Sequence, residues 1–189
     1  MLDIVDMVDS LIIPSVQKES DIEKAINSKS DVVFILTGNL LNMDKYIKEL
    51  KKANKHAFIH IDFVEGLSNT KSAIEYIAKA WNPAGIITTR VSLIKYAKEL
   101  GLYTIQRIFL IDHSALTKGI ETSKSCHPDA VEVLPGLMPS IIDQLSHEID
   151  FPIIAGGFID NKQGILAAVK AGALAISSGN SRLWNIDIE

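Results

Sequence analysis

The chain alternates short apolar runs with amphipathic segments along its whole length. The runs are LIIPS (11–15), VVFILT (32–37), AFIHID (57–62), AGIITTR (84–90), YTIQRIF (103–109), AVEVLPG (130–136), PIIAGGF (152–158) and ALAISSG (173–179). Rich in β-branched residues and apolar at consecutive positions, they read as strands buried on both faces. Between them lie helical patterns such as SDIEKAINS, MDKYIKELKKANK, TKSAIEYIAKAW and VSLIKYAKELG. Strands separated by helices make parallel βα units. About eight such units predict a closed (β/α)8 barrel of the TIM type, with an open Rossmann-like sheet as the alternative.

A faint repeat supports the barrel. NPAGIITTR…YTIQRIF and HPDAVEVLPG…FPIIAGGF share an X-Pro turn, a strand, a helix and a second strand. At the start, Asp3, Asp6 and Asp9 alternate with Leu2, Val5 and Val8, which predicts a short amphipathic helix before the first strand. Its acidity is the opposite of a secretion signal. With no Pro/Ser-rich linker or low-complexity tract, residues 1–189 are expected to form one barrel domain.

Composition narrows the class. The chain has 189 residues, 47% of them hydrophobic, enough for a substantial core. No apolar stretch approaches the ~18 residues of a membrane span, so no membrane partner is expected. The single cysteine, Cys126, permits no internal disulfide and points to a reducing cytoplasm. It ends a helical segment in KSCHPD and reads as incidental rather than as a nucleophile. A net charge of −4 argues against a protein that coats nucleic acid non-specifically, but not against one with a local basic patch.

In a barrel the active face lies at the C-terminal strand ends, and these ends are unusually polar. His60 and Asp62 stand two apart on the third strand, with their side chains on one side. With Glu65 they offer N/O metal ligands, but the spacing favours a hydrogen-bonded pair shaping the barrel top, compatible with a ligand-hydroxyl contact. Arg90, Arg107 and Glu132 sit on neighbouring strands. Glu132, inside an apolar run, needs a cationic partner; the set reads equally as a fixed ion pair or as a ligand site with one guanidinium free for an anion. Gly156, Gly157 and Phe158 end the seventh strand; Ser178, Gly179 and Asn180 end the eighth, ahead of an expected final short helix. Such loops either turn the chain and cap a helix, or cradle a phosphate with backbone N–H groups; the position in the strand order favours the phosphate. Lys45, Lys48, Lys52 and Lys55 form a stripe on one helical segment, either a solvated outer face or an RNA surface. No Walker loop, G-x-S-x-G, Cys/His metal spacing or strand-end lysine is present, so no catalytic residue, metal or cofactor is assigned.

The motifs HID (60–62), PAGIITTR, IQRIFLID, PDAVEVLPG, PIIAGGFI and ALAISSGN together resemble the glycerol uptake operon antiterminator family, in order and over nearly the whole chain. The resemblance implies a barrel regulator whose ligand is glycerol 3-phosphate and whose partner is the leader mRNA of a glycerol-metabolism operon. It implies that Gly157, Ser178, Gly179 and Asn180 cradle the phosphate above a polar pocket of His60, Asp62, Arg90, Arg107 and Glu132. An acidic RNA-binding protein must concentrate its basic residues or present them from a homo-oligomer. Two other readings remain at this point. One is an isomerase or lyase acting on a small phosphorylated metabolite, with Glu132, Asp62 or His60 as acid/base. The other is a structural or partner-binding barrel.

Overall fold

Eight parallel strands close on themselves in chain order in the computed structural model, which describes residues 3–188. The strands are β1 (Ile12–Val16), β2 (Val32–Ile35), β3 (His56–His60), β4 (Gly85–Thr88), β5 (Tyr103–Phe109), β6 (Ala130–Leu134), β7 (Ile153–Gly156) and β8 (Ala175–Ser178). The barrel closes where β8 pairs with β1, Ile13 opposite Ser177. Each expected apolar run contributes one strand, and the closure excludes the open sheet. The helices are α1 (Ile4–Met7), α2 (Ile22–Ile26), α3 (Met43–Lys52), α4 (Lys71–Tyr76), α5 (Val91–Glu99), α6 (His113–Cys126), α7 (Pro139–Glu148) and α8 (Lys162–Lys170). From α2 to α8 they connect consecutive strands and return the chain to the start of the next.

Side chains alternate along each strand, which divides the core in two. One set, including Val33, Ile59, Ile86, Val131 and Ile176, packs outward against helix residues such as Ile47, Leu50, Leu93 and Leu145. The other, including Ile13, Phe34, Phe58, Ile87, Ile105 and Ile154, fills the barrel interior. Continuous apolar runs in the sequence are the signature of strands covered on both sides.

The helix expected before β1 forms, with a different apolar face. Asp3 accepts the Val5 N–H and closes a capping box with Asp6, which explains two of the three aspartates. Ile4 and Met7, not Val5, join the interior cluster; Val5 stays 43% exposed and Leu2 lies outside the described residues. The repeat also has a geometric counterpart. Asn82 and His127 both adopt left-handed backbone, each just before the proline that leads into β4 or β6. The expected final helix is only a turn. Leu183 N donates to Asn180 O at 3.0 Å and Ile186 N to Leu183 O at 3.0 Å, a three-residue spacing. Trp184, 1% exposed, pins this turn to the barrel by donating Nε1–H to Ser178 O at 2.7 Å.

Candidate ligand-binding site

The interior changes from apolar to polar just below its C-terminal mouth. Phe58, Ile105, Ala130, Ile154 and Ala175 lie inside, so two residues further along each strand His60, Arg107, Glu132, Gly156 and Ser177 take the same inward side. Ser15 stands in the same relation to Ile13 on β1. Glu132 is fully buried, and both of its oxygens are engaged. Oε2 accepts from Arg107 Nε at 2.7 Å and Oε1 from Ser177 Oγ at 2.6 Å. A carboxylate so far from water is tolerated because it is paired and hydrogen-bonded. Gly156 makes room for this network. A Cβ there would stand 2.6 Å from Ser177 Oγ and 3.0 Å from Glu132 Oε1.

A cavity of about 590 Å³ opens above the network. Ser15, Arg107, Glu132 and Ser177 reach it from the strands; Gly157 and Phe158 line it after β7, and Ser178, Gly179 and Asn180 after β8. Phe63 and Phe109, each 51% exposed, stand on its wall. Gly157 and Phe158 hold successive left-handed conformations, with φ of 76° and 60°. For phenylalanine this backbone is strained, and 79% exposure shows that packing does not compensate it. The Asn180 N–H is given to Ser178 Oγ at 3.1 Å, and its Oδ1 accepts from Arg182 N at 3.2 Å. The Ser15 hydroxyl is buried on the wall without a hydrogen-bond partner.

Five of the six expected cradle residues therefore share one cavity with two of the five expected pocket residues. Gly156 is not on the wall; its part is close packing. Arg90 does not join Arg107 and Glu132. It precedes α5, its side chain is 55% exposed, and its Nε lies 3.5 Å from Asp62 Oδ1. Asp62 is not on the third strand as expected but in the 3-10 turn Ile61–Phe63 that follows it, which breaks the two-residue alternation with His60. It ties this turn to the end of β4, accepting from Thr88 Oγ1 and Thr89 N, both at 3.1 Å. The expected His60–Asp62 hydrogen bond is absent. The gap is 3.6 Å, and neither ring nitrogen of His60 has a partner. Burial, with Arg107 nearby as the second cause, lowers the His60 pKa to about 3, so the ring is neutral. The ring packs against Phe63 in a T-shaped pair, centroids 4.5 Å apart. Ser15 and Ser177, absent from the expected cradle and pocket, were accessible through the two-residue period that places them above Ile13 and Ala175.

The lysine stripe is partly dismantled. Lys48 pairs with Asp44 at 2.6 Å and Lys45 approaches Glu49 at 4.0 Å, while Lys55 lies beyond α3 and donates to Ser28 O at 3.0 Å. Cys126 is buried against Gln106, and burial raises its pKa, which suits an inert thiol. Among the described residues, no cluster of metal-ligating side chains and no helix long and apolar enough to cross a membrane is found.

Comparison with known proteins identifies relatives over nearly the whole chain. A relative in Escherichia coli K12, the uncharacterized protein YgcP, is 31% identical over 93% of this chain and 92% of its own length. A crystal structure of a glycerol uptake operon antiterminator regulatory protein from Listeria monocytogenes superposes with a TM-score of 0.90 at 31% identity, covering 93% of this chain and 95% of that one. A glycerol uptake operon antiterminator-related protein from Thermotoga maritima gives 0.81, also at 31% identity, over 92% and 96% of the two chains. Barrel enzymes such as the deoxyribose phosphate aldolase of Aeropyrum pernix, at 14% identity, share the fold alone. The family model for the glycerol-3-phosphate responsive antiterminators matches residues 12–184, and the chain belongs to that family.

Proposed function

We propose that this protein senses glycerol 3-phosphate in the barrel-mouth cavity and, when loaded, binds the leader RNA of a glycerol-metabolism operon to permit transcription past a terminator. The observation that carries the ligand reading is the cavity itself. It lies at the ends of β7 and β8, where the fold commonly holds phosphate, and has a buried arginine and an unpartnered serine hydroxyl on its wall. Backbone N–H groups of Gly157, Phe158 and Gly179 would receive the phosphate, Arg107 would add its guanidinium, and Ser15 would bond a glycerol hydroxyl. Glu132 offsets the charge of Arg107, so the amides carry much of the recognition of the anion.

The same geometry favours binding over turnover. Glu132 has both oxygens committed, Asp62 holds two donors from β4, and the neutral His60 does not reach the cavity wall. The three groups considered for an isomerase or lyase, Glu132, Asp62 and His60, are thus held by the structure or kept from the ligand. Asp160, also on the cavity wall, accepts from Asn161 Nδ2 at 2.8 Å. The family supports regulation, with no assigned cofactor and a cytoplasmic setting as parts of the proposal.

The test is a gel-shift titration of a leader transcript from the same genome, with and without saturating glycerol 3-phosphate. Tighter RNA binding with ligand is expected, and by linkage RNA must raise ligand affinity by the same factor. Equal RNA affinity in both conditions removes the mechanism.

A further inference from the structure

A second cavity, of about 300 Å³, adjoins the first, with Leu36 and Phe63 in the wall of both. It lies at the joined loops after β2 and β3, where Glu65 N donates to Gly38 O at 2.9 Å and Leu40 N to Glu65 O at 3.3 Å. The polar wall is made by Glu19, Thr37, Asn39, Asn42, Tyr46 and Glu65, with no basic side chain. Neither Glu19 nor Glu65 forms an ion pair among the described residues. Tyr46, carried by α3, is 2% exposed, and its hydroxyl makes no hydrogen bond of normal geometry although Glu19 and Asn42 are neighbours. Burial and the Glu19 carboxylate push its pKa up to about 12, so it stays a neutral hydroxyl. Asn39 and Asn42 spend their Oδ1 atoms on backbone amides, at 2.9 Å from Leu41 N and 2.7 Å from Asn39 N. Their Nδ2 groups remain as donors.

We infer that this second cavity binds a small amino alcohol, its ammonium held between Glu19 and Glu65 and its hydroxyl by Tyr46 and the asparagine amides. No lysine or arginine lines this cavity, and its two carboxylates, outside any ion pair, select a cation and repel an anion. The ring of Phe63 offers the ammonium a favourable face. A divalent metal fits poorly, because it demands a shell of oxygen ligands and the wall supplies a protonated phenol and amide N–H donors beside only two carboxylates. The inference does not depend on the phosphoester reading of the first cavity.

Isothermal titration with ethanolamine tests it on the intact protein. Saturable one-to-one binding is expected, weakened about two- to tenfold by Tyr46→Phe and lost in the Glu19→Gln/Glu65→Gln double variant. Thermal unfolding of each variant reports on folding, and any affinity for glycerol 3-phosphate at the first cavity should not change. Absence of saturable ethanolamine binding to the wild-type chain overturns the inference. So does equal affinity in the double variant, equal binding of uncharged glycerol at this site, or Mg²⁺ binding that the same substitutions abolish. Ethanolamine binding without phosphoester binding would separate the two readings.

Discussion

Arg107 and Glu132 face each other across β5 and β6 at the same register, 2.7 Å apart, with side chains 4% and 0% exposed. This pair lies in the wall of the barrel-mouth cavity. Arg107→Met or Glu132→Leu alone leaves a buried charge without its counter-ion, at a cost of about 3–5 kcal/mol. The double replacement should recover much of that loss in urea unfolding. Additive losses would mean that the two groups do not depend on each other.

Ser15 separates ligand contact from structural support. Its hydroxyl has no partner, so Ser15→Ala should leave the unfolding midpoint nearly unchanged. Ligand affinity should fall about two- to tenfold, the worth of one hydrogen bond. A stability loss with unchanged affinity would place the hydroxyl in the fold rather than in the site.

The left-handed pair at the β7 loop makes opposite predictions for its two members. Gly157→Val forces a β-branched residue to φ 76° at a cost of about 1–2 kcal/mol, and narrows the cavity. Phe158→Gly relieves strain and should stabilise the free protein by up to about 1 kcal/mol. Thermal melts of the two variants check both signs.

His60 gives the acid limb of stability a specific shape. Its pKa is about 3 in the fold against the ordinary 6.5 when unfolded, so the unfolded chain binds the extra proton over that interval. Stability contributed by the neutral ring is complete above pH 6.5 and declines as pH falls toward about 3. His60→Leu should flatten this decline while costing little at neutral pH, since neither ring nitrogen has a partner to lose. An unchanged slope between pH 6.5 and 4 would show that another group governs it.

The barrel and its mouth were legible because strand order and apolar runs are local signals. Gly157, Phe158, Ser178, Gly179 and Asn180 follow from counting strands to the seventh and eighth ends. Pair assignments were less legible, because strand offset decides which charges meet. Arg107 reaches Glu132 through the β5–β6 register, while Arg90, at the end of β4, turns to Asp62. Gly156 shows the same limit: a glycine that clears space for Glu132 and Ser177 looks, in sequence, like one that cradles an anion. Lys55 leaves the lysine stripe because helix periodicity does not reveal where α3 stops, three residues before it.

The central claim, that the barrel-mouth cavity holds glycerol 3-phosphate, is tested most directly by thermal unfolding with that ester, with glycerol and with inorganic phosphate. At about one hundred times its dissociation constant, a ligand bound only by the folded chain adds about 2.7 kcal/mol of stability. For a chain of this size the midpoint should rise by about 5–10 °C. The account predicts that rise with the ester, a smaller one with phosphate, and loss of the ester's effect in Gly157→Val. An unchanged midpoint with all three ligands, or an equal rise with uncharged glycerol, would contradict it.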